Sequence, residues 1–127
     1  MSYTKKVLIC DPSALFRRTL KWVLKRSARQ VEVTEAESID QALTLLKRKP
    51  QDAVILDIAH PKGNGLGKLA EIKGLMKQGA IIVVSSHDSS EHRKASLKNG
   101  ADLFLSKARQ GDTSLVDVFH ATLKSLW

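Results

Sequence analysis

The sequence predicts an α/β fold, a parallel sheet with helices packed on both of its faces. Three observations predict it. Five apolar runs, most of them rich in Val and Ile, alternate strictly with five amphipathic stretches along the 127 residues. Most of the runs are continuous, which suits strands covered on both sides. No linker, low-complexity tract or repeat interrupts the alternation, so one domain spanning 1–127 is expected.

"KKVLIC", Lys5 to Cys10, reads as the first strand. It stops at Asp11-Pro12, a favourable helix start with Asp as N-cap and Pro at the first helical position. "SALFRRTLKWVLKRS" is the first helix, with Leu15, Phe16, Leu20, Val23 and Leu24 on one stripe. Trp22 falls off that stripe among Arg17, Arg18, Lys21, Lys25 and Arg26. It either contacts a partner or lies flat against a neighbouring helix. "VEVTEA" alternates like a half-buried strand. "SIDQALTLLKRK" is helical, with Ser38 as N-cap and Pro50 just past the end. "DAVILDI" is the most buried-looking strand. "GLGKLAEIKGLMKQG" is a helix closed by Gly79. "AIIVVSS" is the fourth strand. "SSEHRKASLKNG" is a helix starting at Ser89 or Ser90 and stopped by Asn99-Gly100. "ADLFLSK" is the fifth strand, and "DTSLVDVFHATLKSLW" the last helix, capped by Asp112 or Thr113.

Composition narrows the function classes. Hydrophobic residues make up 43%, ordinary for a soluble globular protein. No apolar run approaches the ~20 residues of a membrane span, and the apolar stretch near the N-terminus is too short for a signal peptide. A cytoplasmic protein without membrane attachment is expected. A single cysteine excludes an internal disulfide and a Cys-based zinc site. That residue, Cys10, lies in the first apolar run and reads as an inert buried thiol. The net charge of +8 invites a nucleic-acid or acidic-protein partner. The basic residues are spread along the whole chain and aromatics are few, which weighs against specific nucleic-acid binding. The four histidines show no zinc spacing. His92 and His120 read as solvated helix residues, His60 and His87 as loop residues.

In such a sheet, ligands bind beyond the carboxyl ends of the strands. Asp11, Asp57, Ser85-Ser86 and Ser106-Lys107 stand there. Each alone is weak; together they fit a carboxylate that accepts a phosphoryl group. Asp57 would be the nucleophile. Acids beside it would hold a hard divalent cation through oxygen. Cation and lysine would neutralise charge on the transferred group, and a hydroxyl would bond one of its oxygens. Other readings fit less well. "KGNGLG" follows the third strand, whereas a dinucleotide fingerprint follows the first and spaces its glycines differently. A flavodoxin-type electron carrier needs a phosphate loop after strand one, and "DPSALF" has no glycine. An aspartyl-nucleophile phosphatase needs a second Asp two residues after the first, and Ala59 stands there.

With these residues in view, the chain resembles the receiver domain of two-component response regulators, the CheY-like family, over essentially its whole length. "DAVILDIAHPKGNGL" resembles the phosphoacceptor segment, with Asp57, Pro61 and Gly65 at the family's spacing. "VVSSH" resembles the segment carrying the switch hydroxyl, which gives that role to Ser85. "NGADLFLSK" resembles the segment ending in the site lysine, Lys107, and Phe104 falls where the family places its rotating aromatic. The resemblance implies a doubly wound (βα)5 sheet of order 2-1-3-4-5. It implies phosphorylation of Asp57 by a sensor histidine kinase or phosphotransfer protein, with at most self-catalysed transfer and autodephosphorylation in place of enzyme turnover. It implies Mg2+ on Asp11, Asp57 and the main-chain carbonyl of Ala59. It also implies kinase docking on the first helix, where Trp22, Arg18 and Lys21 stand. Three positions depart from the family pattern. Pro12 replaces the second acid after strand one, Ala108 replaces the proline after the lysine, and His60 replaces a common Met. Loss of the second acid predicts weak magnesium binding. It leaves open an alternative, a receiver-like binding module that works without phosphorylation.

Overall fold

The computed structural model describes residues 4–27, 30–58, 65–87 and 89–107. Five strands and four helices alternate among them: β1 (Lys5–Cys10), α1 (Ala14–Ser27), β2 (Val31–Ala36), α2 (Ile39–Arg48), β3 (Ala53–Leu56), α3 (Gly65–Leu75), β4 (Ala80–Ser85), α4 (Ser90–Lys98) and β5 (Leu103–Ser106). All strand pairs are parallel, and the sheet order is β2-β1-β3-β4-β5. The doubly wound architecture and strand order expected above are therefore those observed. The last helix of the sequence reading, with Asp112, Thr113 and His120, lies outside the described residues, as do Ala59, His60, Pro61 and Ala108.

The pleat explains why the central strands are apolar at every position. Leu8, Cys10, Val54, Leu56, Ile81 and Val83 face a core shared with α2 and α3. Their neighbours Val7, Ile9, Ala53, Ile55, Ile82 and Val84 face the core under α1. A strand buried on both faces has no position for a polar side chain. Polar residues are thus displaced to the strand ends.

Two helices on this sheet are anchored differently. α2 starts at the Ser38 cap, whose side chain accepts from Gln41 N, and buries Ile39, Ala42, Leu43 and Leu46. Each buried Leu or Ile contributes about 1.5–3 kcal/mol. α4 starts at the Ser89 cap and buries only Ser96. It reaches β5 through Arg93, which donates to the Phe104 carbonyl at 3.2 Å with its guanidinium 5.1 Å from the Phe104 ring. Gly100, at φ +120°, ends that helix in a conformation a side chain would strain.

Three local expectations are corrected, and the two readings of Trp22 are separated. Asp11 is not the cap of α1 and Pro12 is not its first residue. The helix begins at Ala14, and Ser13 caps it by accepting from Phe16 N at 3.2 Å. Pro12 precedes the cap, where its missing N–H costs nothing. Leu15 leaves the buried stripe and is 73% exposed, while Arg17 occupies the stripe at 8%. Residues 17, 20 and 24 follow the three- and four-residue helical spacing that faces the sheet, and residue 15 points away. α3 ends at Leu75, where Met76 N bonds both Ile72 O and Lys73 O, and Gly79 lies in the turn beyond. Trp22 is 57% exposed, so it does not lie flat under a neighbour among the described residues, and Arg26 sits over its ring at 4.9 Å.

Candidate functional site

β1 and β3 are hydrogen-bonded neighbours in the centre of the sheet, with Cys10 opposite Leu56. The residue following each strand is an aspartate, so parallel register alone sets Asp11 beside Asp57. Asp57 N donates to Cys10 O at 3.2 Å, extending the ladder one step past the strands. β4 and β5 pair with Ser85 opposite Ser106, and Lys107 N donates to Ser85 O at 2.9 Å. Lys107 therefore leaves the sheet on the same edge as the two acids.

Its side chain spans the gap. Lys107 Nζ lies 2.6 Å from Asp11 Oδ2 and 3.0 Å from Asp57 Oδ2. Asp11 is 2% exposed and the Lys107 side chain 20%. One ammonium thus holds two carboxylates whose burial alone would be costly. Burial pulls the Lys107 pKa down, but the hydrogen bonds it donates to Asp11 and Asp57 outweigh it and leave the group above its ordinary value. The ammonium also sits 4.1 Å from the centre of the Phe16 ring, a contact worth about 0.5–1 kcal/mol at a partly exposed site.

Asp11 is held from several directions. Its amide donates to Ala36 O at 3.0 Å, and its Oδ1 accepts from Ser13 N at 2.9 Å. Its carbonyl accepts from Arg17 Nη1 at 2.6 Å. Arg17 in turn donates from Nε to Glu35 Oε1, at the end of β2, at 2.9 Å. Beneath the acids lies Cys10, whose thiol is pushed up to about 12 by burial first and then by the charges of Asp11 and Asp57.

The remaining expected residues fall at different distances from this cluster. Ser85 is fully buried at the end of β4, and its Oγ accepts from His87 N at 3.0 Å. Phe104 is buried in the core under α2 and α3, with Arg93 over it. Trp22, Arg18 and Lys21 are exposed on α1. Gly65 opens α3, where an added Cβ would stand 2.0 Å from the Ile58 carbonyl, so only glycine lets the helix begin so close to the exit of β3.

Oxygen donors that converge at the carboxyl edge fit a hard cation such as Mg2+. Among the described residues they amount to the carboxylates of Asp11 and Asp57. No cluster of three or more His, Cys, Asp or Glu side chains able to hold a metal exists among those residues. The third expected donor, the carbonyl of Ala59, lies outside them. Sequence reasoning missed Phe16, Arg17 and Glu35. Arg17 was legible in part, since an arginine three residues before Leu20 and seven before Leu24 occupies a buried helical position.

No described helix is long and apolar enough to cross a membrane. Residues 7–118 match the response regulator receiver domain family. The chain is similar to the chemotaxis protein CheY of Halobacterium salinarum, 31% identical over 106 residues that cover 84% of this chain and 87% of that protein. It is also similar to an uncharacterized response regulatory protein of Staphylococcus epidermidis, 35% identical over 95 residues. That match covers 74% of this chain and 37% of the relative, so the chain spans little more than a third of that protein's length. In three dimensions it resembles a response regulator from Thermotoga maritima, with a TM-score of 0.82, 21% identity and 98% of each chain covered. Receiver domains of response regulators are signalling modules phosphorylated by histidine kinases. By the match over most of its length and by its sheet order, this chain belongs to the receiver domains of two-component response regulators, with the CheY-like fold.

Proposed function

We propose that the chain, as one receiver unit over 1–127, accepts a phosphoryl group on Asp57 and passes the event to a protein partner. One observation carries this reading: a lysine ammonium bonded to both carboxylates at the carboxyl ends of two adjacent strands. In the proposed transfer an Asp57 carboxylate oxygen attacks the phosphorus of a phosphohistidine. The new P–O bond forms as the P–N bond breaks, and the imidazole leaves with the electron pair and takes up a proton. Lys107 then moves its contact from the Asp57 carboxylate to a phosphoryl oxygen, keeping a cation against the transferred charge. The Ser85 hydroxyl offers a second hydrogen bond to that group. Mg2+ held by Asp11, Asp57 and the Ala59 carbonyl would supply further positive charge against the phosphoryl oxygens. With Pro12 in place of an acid, that ion would bind weakly.

Partner contact fits α1. Trp22, Arg18 and Lys21 are exposed there. Basic charge speeds encounter with an acidic kinase or phosphotransfer surface, and Trp22 supplies a buriable anchor. Arg17 is excluded from that patch by its burial. Phe104 is proposed as the aromatic whose position reports the state of the site.

The test is intact-mass measurement after incubation with a small phosphoryl donor or a phosphorylated kinase domain, at a series of magnesium concentrations. A single phosphoryl adduct on the wild type that is absent from Asp57→Asn supports the proposal. No adduct on the wild type at any magnesium level would leave the phosphorylation-independent module in its place.

A further inference from the structure

Asp11 is the sole acid that β1 contributes to the site, and its mount is unusual. Pro12 disfavours helical backbone at residue 11 and has no N–H of its own. The Asp11 carbonyl therefore sits ahead of the hydrogen-bond ladder of α1, where Arg17 N already bonds Ser13 O. The carbonyl is taken by Arg17 Nη1 at 2.6 Å, and the other arm of the same guanidinium takes Glu35 at 2.9 Å. The Arg17 side chain keeps only 10% of its exposure. Arginine carries its charge at every accessible pH, so this burial is costly unless both arms are satisfied.

We infer that Arg17 is a positioning residue for the phosphoacceptor site: its fork, clamped by Glu35, fixes the Asp11 peptide so that the one remaining β1 carboxylate stays aligned with Lys107 and Asp57. This rests on the proposed phosphoryl transfer. A full receiver site spreads cation holding over two β1 acids, whereas here the whole task falls on Asp11. Four of its atoms are bonded: the amide to Ala36, the carbonyl to Arg17, Oδ1 to Ser13 and Oδ2 to Lys107. Of these, the Arg17 bond alone ties the residue to a side chain that β2 also grips. A pure staple between α1 and β2 would be indifferent to the Asp11 carbonyl.

The double variant Arg17→Met with Glu35→Met separates the two roles. Arg17 and Glu35 form a part-buried ion pair, their side chains 10% and 33% exposed. Apolar side chains of similar volume often replace even a buried pair without loss of stability, but here the exchange leaves the Asp11 carbonyl unclamped. Three quantities are read: urea unfolding, hydrogen exchange at the Ser13 amide that bonds Asp11 Oδ1, and the Asp57 phosphorylation rate at saturating small phosphoryl donor. The expected result is near-wild-type unfolding, Ser13 exchange faster by about tenfold, and phosphorylation slower by about tenfold to a hundredfold. Arg17→Lys, which lacks the fork and reaches one partner at a time, should fall between. Wild-type Ser13 exchange and phosphorylation in a stable double variant would overturn the inference. Should the double variant not fold, Arg17→Lys and Glu35→Gln carry the same readouts. A wild type that accepts no phosphoryl group would sink the proposed function, while Ser13 exchange would still decide the role of Arg17.

Discussion

The two edges of the sheet carry aspartates in opposite relations to the backbone. At the amino edge, Asp52 precedes β3 and Asp102 precedes β5. Asp52 accepts from Lys6 N at 2.7 Å and donates its own amide to Lys6 O at 2.7 Å. Asp102 accepts from Ile81 N at 2.7 Å and donates its amide to Ile81 O at 2.8 Å. Each closes a ladder with the neighbouring strand, and its partner is backbone that stays in place while the protein is folded. At the carboxyl edge, Asp11 and Asp57 follow their strands and share one lysine. That partner sits at the end of a flexible side chain and can turn to an incoming anion. The same residue type therefore closes the sheet where its partner is fixed and offers chemistry where its partner is movable.

The largest effect that would break this division comes from Asp57→Asn. It should abolish phosphoryl acceptance, read by intact mass, and leave the unfolding midpoint at or above that of the wild type, because one of two carboxylates crowded on a single lysine is neutralised. A cooperative loss of fold would mean that Asp57 is structural like its counterparts at the other edge.

Next come Asp102→Ala and Asp52→Ala. Each leaves a strand N–H without its acceptor and should cost about 1–3 kcal/mol in urea unfolding, with phosphorylation of the folded fraction unchanged. Loss of phosphorylation in a folded Asp102→Ala would show that the two edges are not separable.

Pro12→Asp sharpens the carboxyl edge. Adding a hard anionic donor beside Asp11 should tighten magnesium binding by about tenfold, measured by titration calorimetry. Equal affinity in the two proteins would show that Pro12 is no handicap.

The smallest effect is alkaline. Lys107 has a raised pKa in the folded state, so its contribution is fully present below its unfolded value of about 10.4 and is lost as pH rises through the higher folded one. Cys10 has the same sign. It ionises near 8.5 when unfolded but only at about 12 when folded. Stability should therefore fall as pH rises from about 9 toward 12. Cys10→Ala should remove the earlier part of that fall, and Lys107→Met the later part. No alkaline slope in the wild type would contradict the burial of Cys10 and the bonding of Lys107 to its two carboxylates.

The strands were legible because a doubly covered sheet leaves a continuous apolar run, and β1 and β2 begin and end where the runs do. Asp11 and Asp57 were legible for the same reason: a charge that follows such a run stands at the carboxyl edge. Asp52 and Asp102 precede their runs, and the same logic sends them to the other edge. Arg17 was harder to read because long basic side chains are exposed on most helices. Its burial depends on Glu35 and on a carbonyl set free by Pro12, partners that lie on another strand and in the backbone. The start of α1 was misread because Asp-Pro and Ser-Ala both make sound helix openings, and tertiary bonds to Asp11 decide between them. Leu15 was misread because six apolar residues among the ten from Leu15 to Leu24 fill more than one stripe.

The burial of Cys10 has a kinetic consequence. The sequence holds no other cysteine. This one is 2% exposed in β1, one residue before Asp11, and its thiolate, the reactive form, is suppressed up to about pH 12. A thiol reagent can reach it only during openings that lift the carboxyl end of β1 out of the sheet. The labelling rate of the unmodified protein is thus a clock for those openings. Any phosphoryl group, metal ion or partner that binds only the closed edge should slow it in proportion to its occupancy.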